Sequence, residues 1–219
     1  MSNEMKSRHT GEKIIIIGGG GHAKVLISII KKNLLFEVVG YVDFIDQGSI
    51  LGANYLGNDN ILEAIFSQGI INAAIGVGQV NVTQKRFDVV NKIKEIGFKF
   101  PVIISKDAIV NEDVKIEEGT QVFDAVVINC GTRIGKFSII NTKSTVEHDC
   151  KVGNYCHIAT ASVLSGGVEV DDFTMIGSNA VVVQYKKIGK NCMIGSGTVV
   201  VNNITEEGTY IGNPVRKIK

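Results

Sequence analysis

The chain has 219 residues, 44% of them hydrophobic, and carries 23 basic against 22 acidic side chains for a net charge of +1. That length suits one large domain or two small ones, and the balanced charge excludes the basic footprint of a nucleic-acid or anionic-membrane binder. Tryptophan is absent, proline occurs twice and glycine 25 times, a composition suited to many tight turns between short strands.

The opening stretch, MSNEMKSRHTGEK, is polar and charged and lacks the apolar core of a signal peptide. It reads as a disordered lead-in or a remnant of expression. No apolar run approaches the roughly 20 residues of a membrane span, so no membrane partner is expected. From Lys13 to about Pro101 the chain reads as a small Rossmann-like α/β domain. KIIIIGGGGHAK is a buried-type strand running into glycines and then a helix from Ala23 to Lys32, and VVGYVDF is a second strand ending at Asp43. Ile61 to Ser67 suggests a short helix and INAAIGVG a third strand. Thr83 to Ile96 is amphipathic, with Phe87, Val90, Ile93 and Ile96 at helical spacing and Gly97 as its stop. Strands alternating with helices predict a parallel, doubly wound sheet. Gly18, Gly20 and Ala23 fit the loose dinucleotide fingerprint, with Asp43 downstream. A strand, a glycine turn and a helix start present free backbone N–H groups to an anion. About 90 residues hold roughly half of the usual six-stranded dinucleotide site, which favours a mononucleotide or nucleotide-sugar over NAD.

From Ile104 to Val200 every sixth residue is aliphatic, seventeen times without a slip. At an aliphatic frequency of about 30%, such a run has odds on the order of one in a billion, so residues 102–219 are a repeat array. Two residues before each aliphatic stands something small or β-branched at most turns, among them Thr120, Thr132, Ser138, Ser144, Cys150, Cys156, Ser162, Thr174, Cys192 and Thr198. One residue after it glycine recurs, at Gly135, Gly153, Gly177, Gly189 and Gly195, read as supplying the φ > 0 backbone of a corner. A period of six fits a short strand followed by a turn, stacked so that one aliphatic per side joins a continuous column. Lys186 stands where the pattern asks for a small residue and predicts a bulged or exposed corner. The four cysteines, Cys130, Cys150, Cys156 and Cys192, show no CxxC spacing and read as buried reduced thiols of a cytosolic protein.

Histidine is scarce enough to enumerate: His9 in the lead-in, His22 after the glycine loop, and His148 and His157 in the repeats. His148 falls two residues after an inward aliphatic, near an accessible corner, and Asp149 follows it. An imidazole beside a carboxylate is suited to general-base work near neutral pH.

The hexad pattern resembles the left-handed parallel β-helix of hexapeptide transferases, in which three hexads make one triangular coil. With GGGGHAK near the start, INT…EHDC in the middle and GNPVRKI at the end, nearly the whole chain resembles the bacterial sugar acyltransferases. These include sialic acid O-acetyltransferases and the nucleotide-aminosugar N-acetyltransferases of bacillosamine and perosamine pathways. The resemblance implies an acetyl-CoA-dependent transfer without metal to the amino group of a UDP- or GDP-linked 4-amino-deoxy sugar, within surface-glycan biosynthesis in the cytoplasm, by a homotrimer. It implies His148 as base with Asp149 adjacent, and Asn141 near the substrate amine. His157 lies near the acetyl group, and Gly166 presents its N–H to the thioester. The nucleotide-sugar site is then Gly20, Gly21, His22, Asp43 and Gly76. Arg216 and Lys217, in the tail that leaves the last coil, are expected to meet CoA phosphates. O-acetylation of a sialic-acid-like sugar by the same base is the alternative. A zinc hydrase on this helix needs three histidine ligands where the repeats offer two. A non-catalytic nucleotide sensor would have no use for the His148–Asp149 pair.

Overall fold

A computed structural model describes residues 11–79 and 84–219; most of the lead-in, His9 and the expected helix start at Thr83 lie outside them. The chain divides into two compact units, residues up to Gly78 with Asp88–Pro101, and Gln79–Phe87 with Val102–Lys219.

The first unit is a four-stranded parallel sheet in the order β3-β2-β1-β4. Its elements are β1 (Lys13–Ile17), α1 (Gly21–Asn33), β2 (Glu37–Val42), β3 (Asn54–Gly57), α2 (Leu62–Ser67) and β4 (Asn72–Ile75). A further helix, α3 (Lys85–Ile96), follows β4. The unbroken run Ile14–Ile17 is buried throughout, as a strand covered on both faces of a parallel sheet must be. Helix α1 buries Ala23, Leu26, Ile27 and Ile30, one stripe at helical spacing. It ends where Leu34 turns left-handed at φ 55°. The sequence reading did not include β3: NYLG is too short to show a period. Its partner carries the trace instead, because a Cβ at Gly40 would stand 2.5 Å from the Asn54 carbonyl.

The second unit is a left-handed parallel β-helix. Seventeen short strands from Ile103–Ile104 to Val199–Val200 each end on a hexad aliphatic. They stack into three faces, here called I, II and III, which begin at Ile103–Ile104, Ile109–Val110 and Lys115–Ile116. Residues 18 apart are neighbours in register: Ile140 with Ile158, Val146 with Leu164, Val152 with Val170. The column from Val122 to Val200 is buried, whereas Val110 in the first coil is exposed because no coil lies beneath it. Each fully buried aliphatic contributes about 1.5–3 kcal/mol, so the column rather than any two-residue strand holds the coils together.

The small position has a polar task. Buried hydroxyls of Thr120, Thr132, Ser138 and Thr174 donate to the carbonyls of Gly135, Glu147, Gly153 and Gly189 at 2.6–2.8 Å. Cys150, Cys156 and Cys192 occupy the same position and point their thiols at the equivalent carbonyls of Ser165, Asp171 and Glu206 at 3.1–3.3 Å. Burial pushes these thiols up to about 11, 12 and 11, so they are inert as nucleophiles.

Three expectations are corrected. The glycines one residue after the aliphatic do not adopt φ > 0. Left-handed backbone falls two residues later, at Phe137, Lys143, Asp149, Tyr155, Ala161 and Gly167 among others. Gly135, Gly153 and Gly177 are instead demanded by the coil above: a Cβ at Gly153 would lie 2.7 Å from the Asp172 amide, and one at Gly177 2.6 Å from the Ile194 carbonyl. Lys186 makes no bulge, since Lys187–Ile188 stays in register with Glu169–Val170 and the lysine is half-buried. Cys130 is exposed, because it occupies an outward corner position and not the small inward one.

Candidate active site

Asp149 sits in the left-handed corner conformation at φ 58°, which aspartate tolerates better than most side chains. Its Oδ2 lies 2.9 Å from His148 Nδ1. With the proton on Nδ1 donated to the carboxylate, Nε2 is the nitrogen left with a free lone pair. The pair is open to solvent, with side chains 54% and 73% exposed. Glycines stand 18 residues to either side. A Cβ at Gly166 would lie 2.5 Å from His148 Nε2, and one at Gly131 would lie 2.6 Å from Asp149 Oδ1. Neither neighbouring coil therefore places a side chain against this pair, and a methyl at either glycine would require His148 or Asp149 to shift. Among the described residues, the Gly166 N–H donates to no acceptor, while its carbonyl accepts from Tyr185. Gly131 was missed in the sequence; its signal is the 18-residue stacking distance to Asp149.

Asn141 and His157 also meet. His157 is buried on face I, its Nδ1 2.6 Å from the Gln79 carbonyl and its Nε2 3.0 Å from Asn141 Nδ2. The carbonyl only accepts, so Nδ1 carries the proton and Nε2 accepts from Asn141. Burial drives this histidine down to about 4, against a smaller opposing effect of the Gln79 carbonyl, and the ring is neutral at pH 7. Asn141 Oδ1 accepts from the Thr142 amide at 2.8 Å. The two histidine pairs lie at different corners of the triangle. Asn141 begins the turn from face I to face II, and His148 occupies the turn from face II to face III. One chain thus does not bring His148 together with Asn141 and His157.

In the first unit, Gly18 and Asp43 leave the paired ends of β1 and β2. Asp43 Oδ2 accepts from the Gly19 amide at 2.5 Å and Oδ1 from the Phe44 amide at 2.6 Å, leaving a lone pair on each oxygen. Gly19 has no room for a side chain against the Tyr41 ring, 2.7 Å from where its Cβ would be, and Gly76 none against Ala23, at 2.8 Å. Gly20 and Gly21 differ: open space surrounds both, and Gly20 has an ordinary φ of −81°. Neither packing nor backbone demands glycine there, and a helix start of this kind presents its first amides to an anion. His22 flanks the same loop beside Gly78.

At the end of the β-helix, Gly208–Ile211 and Arg216–Lys217 form an antiparallel pair. Lys217 is held by Glu206 at 2.9 Å, which keeps its ammonium above the usual lysine range. Arg216 is exposed and makes no ion pair among the described residues. Among the described residues no group of three or more His, Cys, Asp or Glu side chains is placed to hold a metal, and no helix is long and apolar enough to cross a membrane.

Residues 13–90 match the family described as the PglD N-terminal domain. Over 96% of this chain and 98% of its own, PerB from Caulobacter crescentus, solved in complex with CoA and GDP-perosamine, is similar at 33% identity and a TM-score of 0.88. The acetyltransferase domain of PglB from Neisseria gonorrhoeae, solved with acetyl coenzyme A, is similar at 30% identity over 95% and 100% of the two chains, with a TM-score of 0.88. WeeI from Acinetobacter baumannii, at 22% identity over 94% and 100% and a TM-score of 0.81, shares the fold. A front α/β unit with a glycine loop between strand and helix, a hexapeptide β-helix with a His–Asp corner, and likeness of 30–33% identity over nearly the full length lead to one conclusion: the chain belongs to the bacterial hexapeptide-repeat sugar acyltransferases.

Proposed function

We propose that the protein transfers the acetyl group of acetyl-CoA to the amine of a UDP- or GDP-linked 4-amino-deoxy sugar in the cytoplasm, for surface-glycan synthesis. The observation that carries the mechanism is the His148–Asp149 pair, with Nε2 facing Gly166. The amine nitrogen attacks the thioester carbonyl and His148 Nε2 takes its proton, while Asp149 balances the imidazolium through Nδ1. The Gly166 N–H donates to the carbonyl oxygen as it gains charge. The C–S bond then breaks and the thiolate leaves, recovering the proton from His148. No acyl-enzyme is needed, because the substrate amine is itself a good nucleophile; the buried thiols of Cys150, Cys156 and Cys192 are inert. The first unit holds the nucleotide-sugar: its phosphates on the Gly20–Gly21 amides, its ribose at Asp43. The relative solved with CoA and GDP-perosamine, also in forms with one histidine replaced by Asn or Ala, supports this substrate class. Arg216, which makes no ion pair among the described residues, takes a CoA phosphate.

The working unit is a homotrimer. His148 and the Asn141–His157 pair occupy different corners, so they face one substrate only across a junction between copies. Face II offers for that junction a column that is apolar but for Thr145: Ile109, Val127, Val163, Val181 and Val199.

Thiol release from acetyl-CoA is the assay, with UDP-, GDP- and dTDP-linked 4-aminosugars set against CMP-linked and free sialic acid. Turnover of an aminosugar is expected, and His148→Ala should lower its kcat by about 10² to 10⁴. Turnover of the sialic acid alone identifies an O-acetyltransferase. A His148→Ala protein retaining more than roughly a tenth of kcat removes His148 as base.

A further inference from the structure

We propose that Phe44 is the platform on which the base of the nucleotide-sugar stacks; this rests on the nucleotide-sugar reading above. Of the nine phenylalanines in the chain, Phe44 is the exposed one, at 82%, and Ile45 beside it is 66% exposed. Both follow the carboxyl end of β2, where ligands of open parallel sheets bind.

Their exposure is enforced by the loop. The Asp43 carboxylate fixes the Phe44 backbone by accepting from its amide at 2.6 Å, while its other oxygen holds Gly19. Immediately beyond Ile45 the chain is pinned inward. The Gln47 amide donates to the Tyr41 hydroxyl at 2.8 Å, and that hydroxyl donates to the Gly48 carbonyl at 2.8 Å. Tyr55 donates its hydroxyl to the Asp43 carbonyl at 3.2 Å. Phe44 and Ile45 are left projecting between two fixed points.

The order of groups names the occupant. Phosphate belongs at the Gly20–Gly21 amides, ribose at the free lone pairs of Asp43, and the base, one glycosidic bond beyond the ribose, falls on the residue after Asp43. A flat heteroaromatic ring on an aromatic side chain is a favourable arrangement that accepts any base, since every base has a π-face. Phe44 therefore supplies affinity, and purines, with the larger face, gain more from it than pyrimidines.

Trp is absent from the chain, so Phe44→Trp installs a lone indole at the platform. Quenching of its emission by GDP and UDP, and not by pyrophosphate, is expected. In the Phe44→Ala protein the inhibition constants of both nucleoside diphosphates should rise roughly 5- to 150-fold, with pyrophosphate inhibition and KM for acetyl-CoA unchanged. Phe44→Tyr should restore binding. If wild-type protein binds GDP or UDP and Phe44→Ala binds it equally well, the platform is refuted while the functional reading stands. If wild-type protein binds no nucleoside diphosphate, both fall. Equal losses for pyrophosphate and the diphosphates also overturn the platform, since the defect would then lie in the phosphate loop.

Discussion

Burial separates His157 from His148. With its pKa lowered from the ordinary 6.5 to about 4, folded His157 refuses a proton that the unfolded chain accepts throughout that window. Stability therefore rises with pH between about 4 and 6.5 and is lost as pH falls through it. Between pH 7 and pH 5 the loss from this residue is about 2 kcal/mol. Urea unfolding at the two pH values should show that loss in the wild type and a smaller one in His157→Gln; equal losses would mean that the ring is not held neutral. The open His148 is governed by sterics instead. In Gly166→Ala the new methyl would stand 2.5 Å from Nε2, so the ring must rotate off its position. Its kcat should fall toward that of His148→Ala, about 10²- to 10⁴-fold. The double variant should be no worse than His148→Ala, because both changes remove one function. Additive losses in steady-state kinetics would show that Gly166 acts independently of the imidazole.

At the scale of the coil, glycine has two separable roles. Gly131 and Gly167 occupy left-handed corners at φ 73° and 67°, whereas Gly153 lies in the strand exit, 2.7 Å from backbone where its Cβ would be. Replacing glycine by alanine usually stabilises a chain by restricting its unfolded state. Gly153→Ala should do the reverse, because backbone cannot yield as a flexible side chain does. A cost of about 1–3 kcal/mol is expected, seen as a Tm lower by roughly 2–10 °C; an unchanged Tm would show that the coils can spread. The same stacking explains Phe137, Tyr155 and Phe173. Their 18-residue spacing makes a ladder with ring centroids 5.2 Å apart, against which Phe87 sets its edge.

For the whole molecule the proposed trimer implies a catalytic site shared between copies. Light scattering should give three times the 23.6 kDa of one chain, and Val163→Glu on face II should lower mass and activity together. A more searching test mixes subunits. His148→Ala and Asn141→Ala trimers should each be nearly inactive. Co-expressed, they should recover up to about a quarter of wild-type activity, since random closed assembly pairs an intact His148 with an intact Asn141 at that frequency. No recovery would mean that each chain completes its own site.

Much of this was legible in the residue string. The hexad period gave the coils and their inward column because a one-residue slip would turn every aliphatic out of the core. The His148–Asp149 pair was legible because its partners are consecutive, and the glycine loop because a strand, glycines and a helix follow one another locally. What stayed hidden depends on residues distant in the chain becoming neighbours. Strand β3 is recognisable mainly by the space that Gly40 leaves for it. The reason for glycine at position 153 lies in the coil above, at Asp172. That Gly131 and Gly166 both clear room for one His–Asp pair depends on stacking at 18 residues. That Asn141 and His148 stand at different corners depends on how the triangle closes. A repeat records its own period because burial acts on every turn alike; which side chains meet across turns is set by closure, and that is a property of three dimensions.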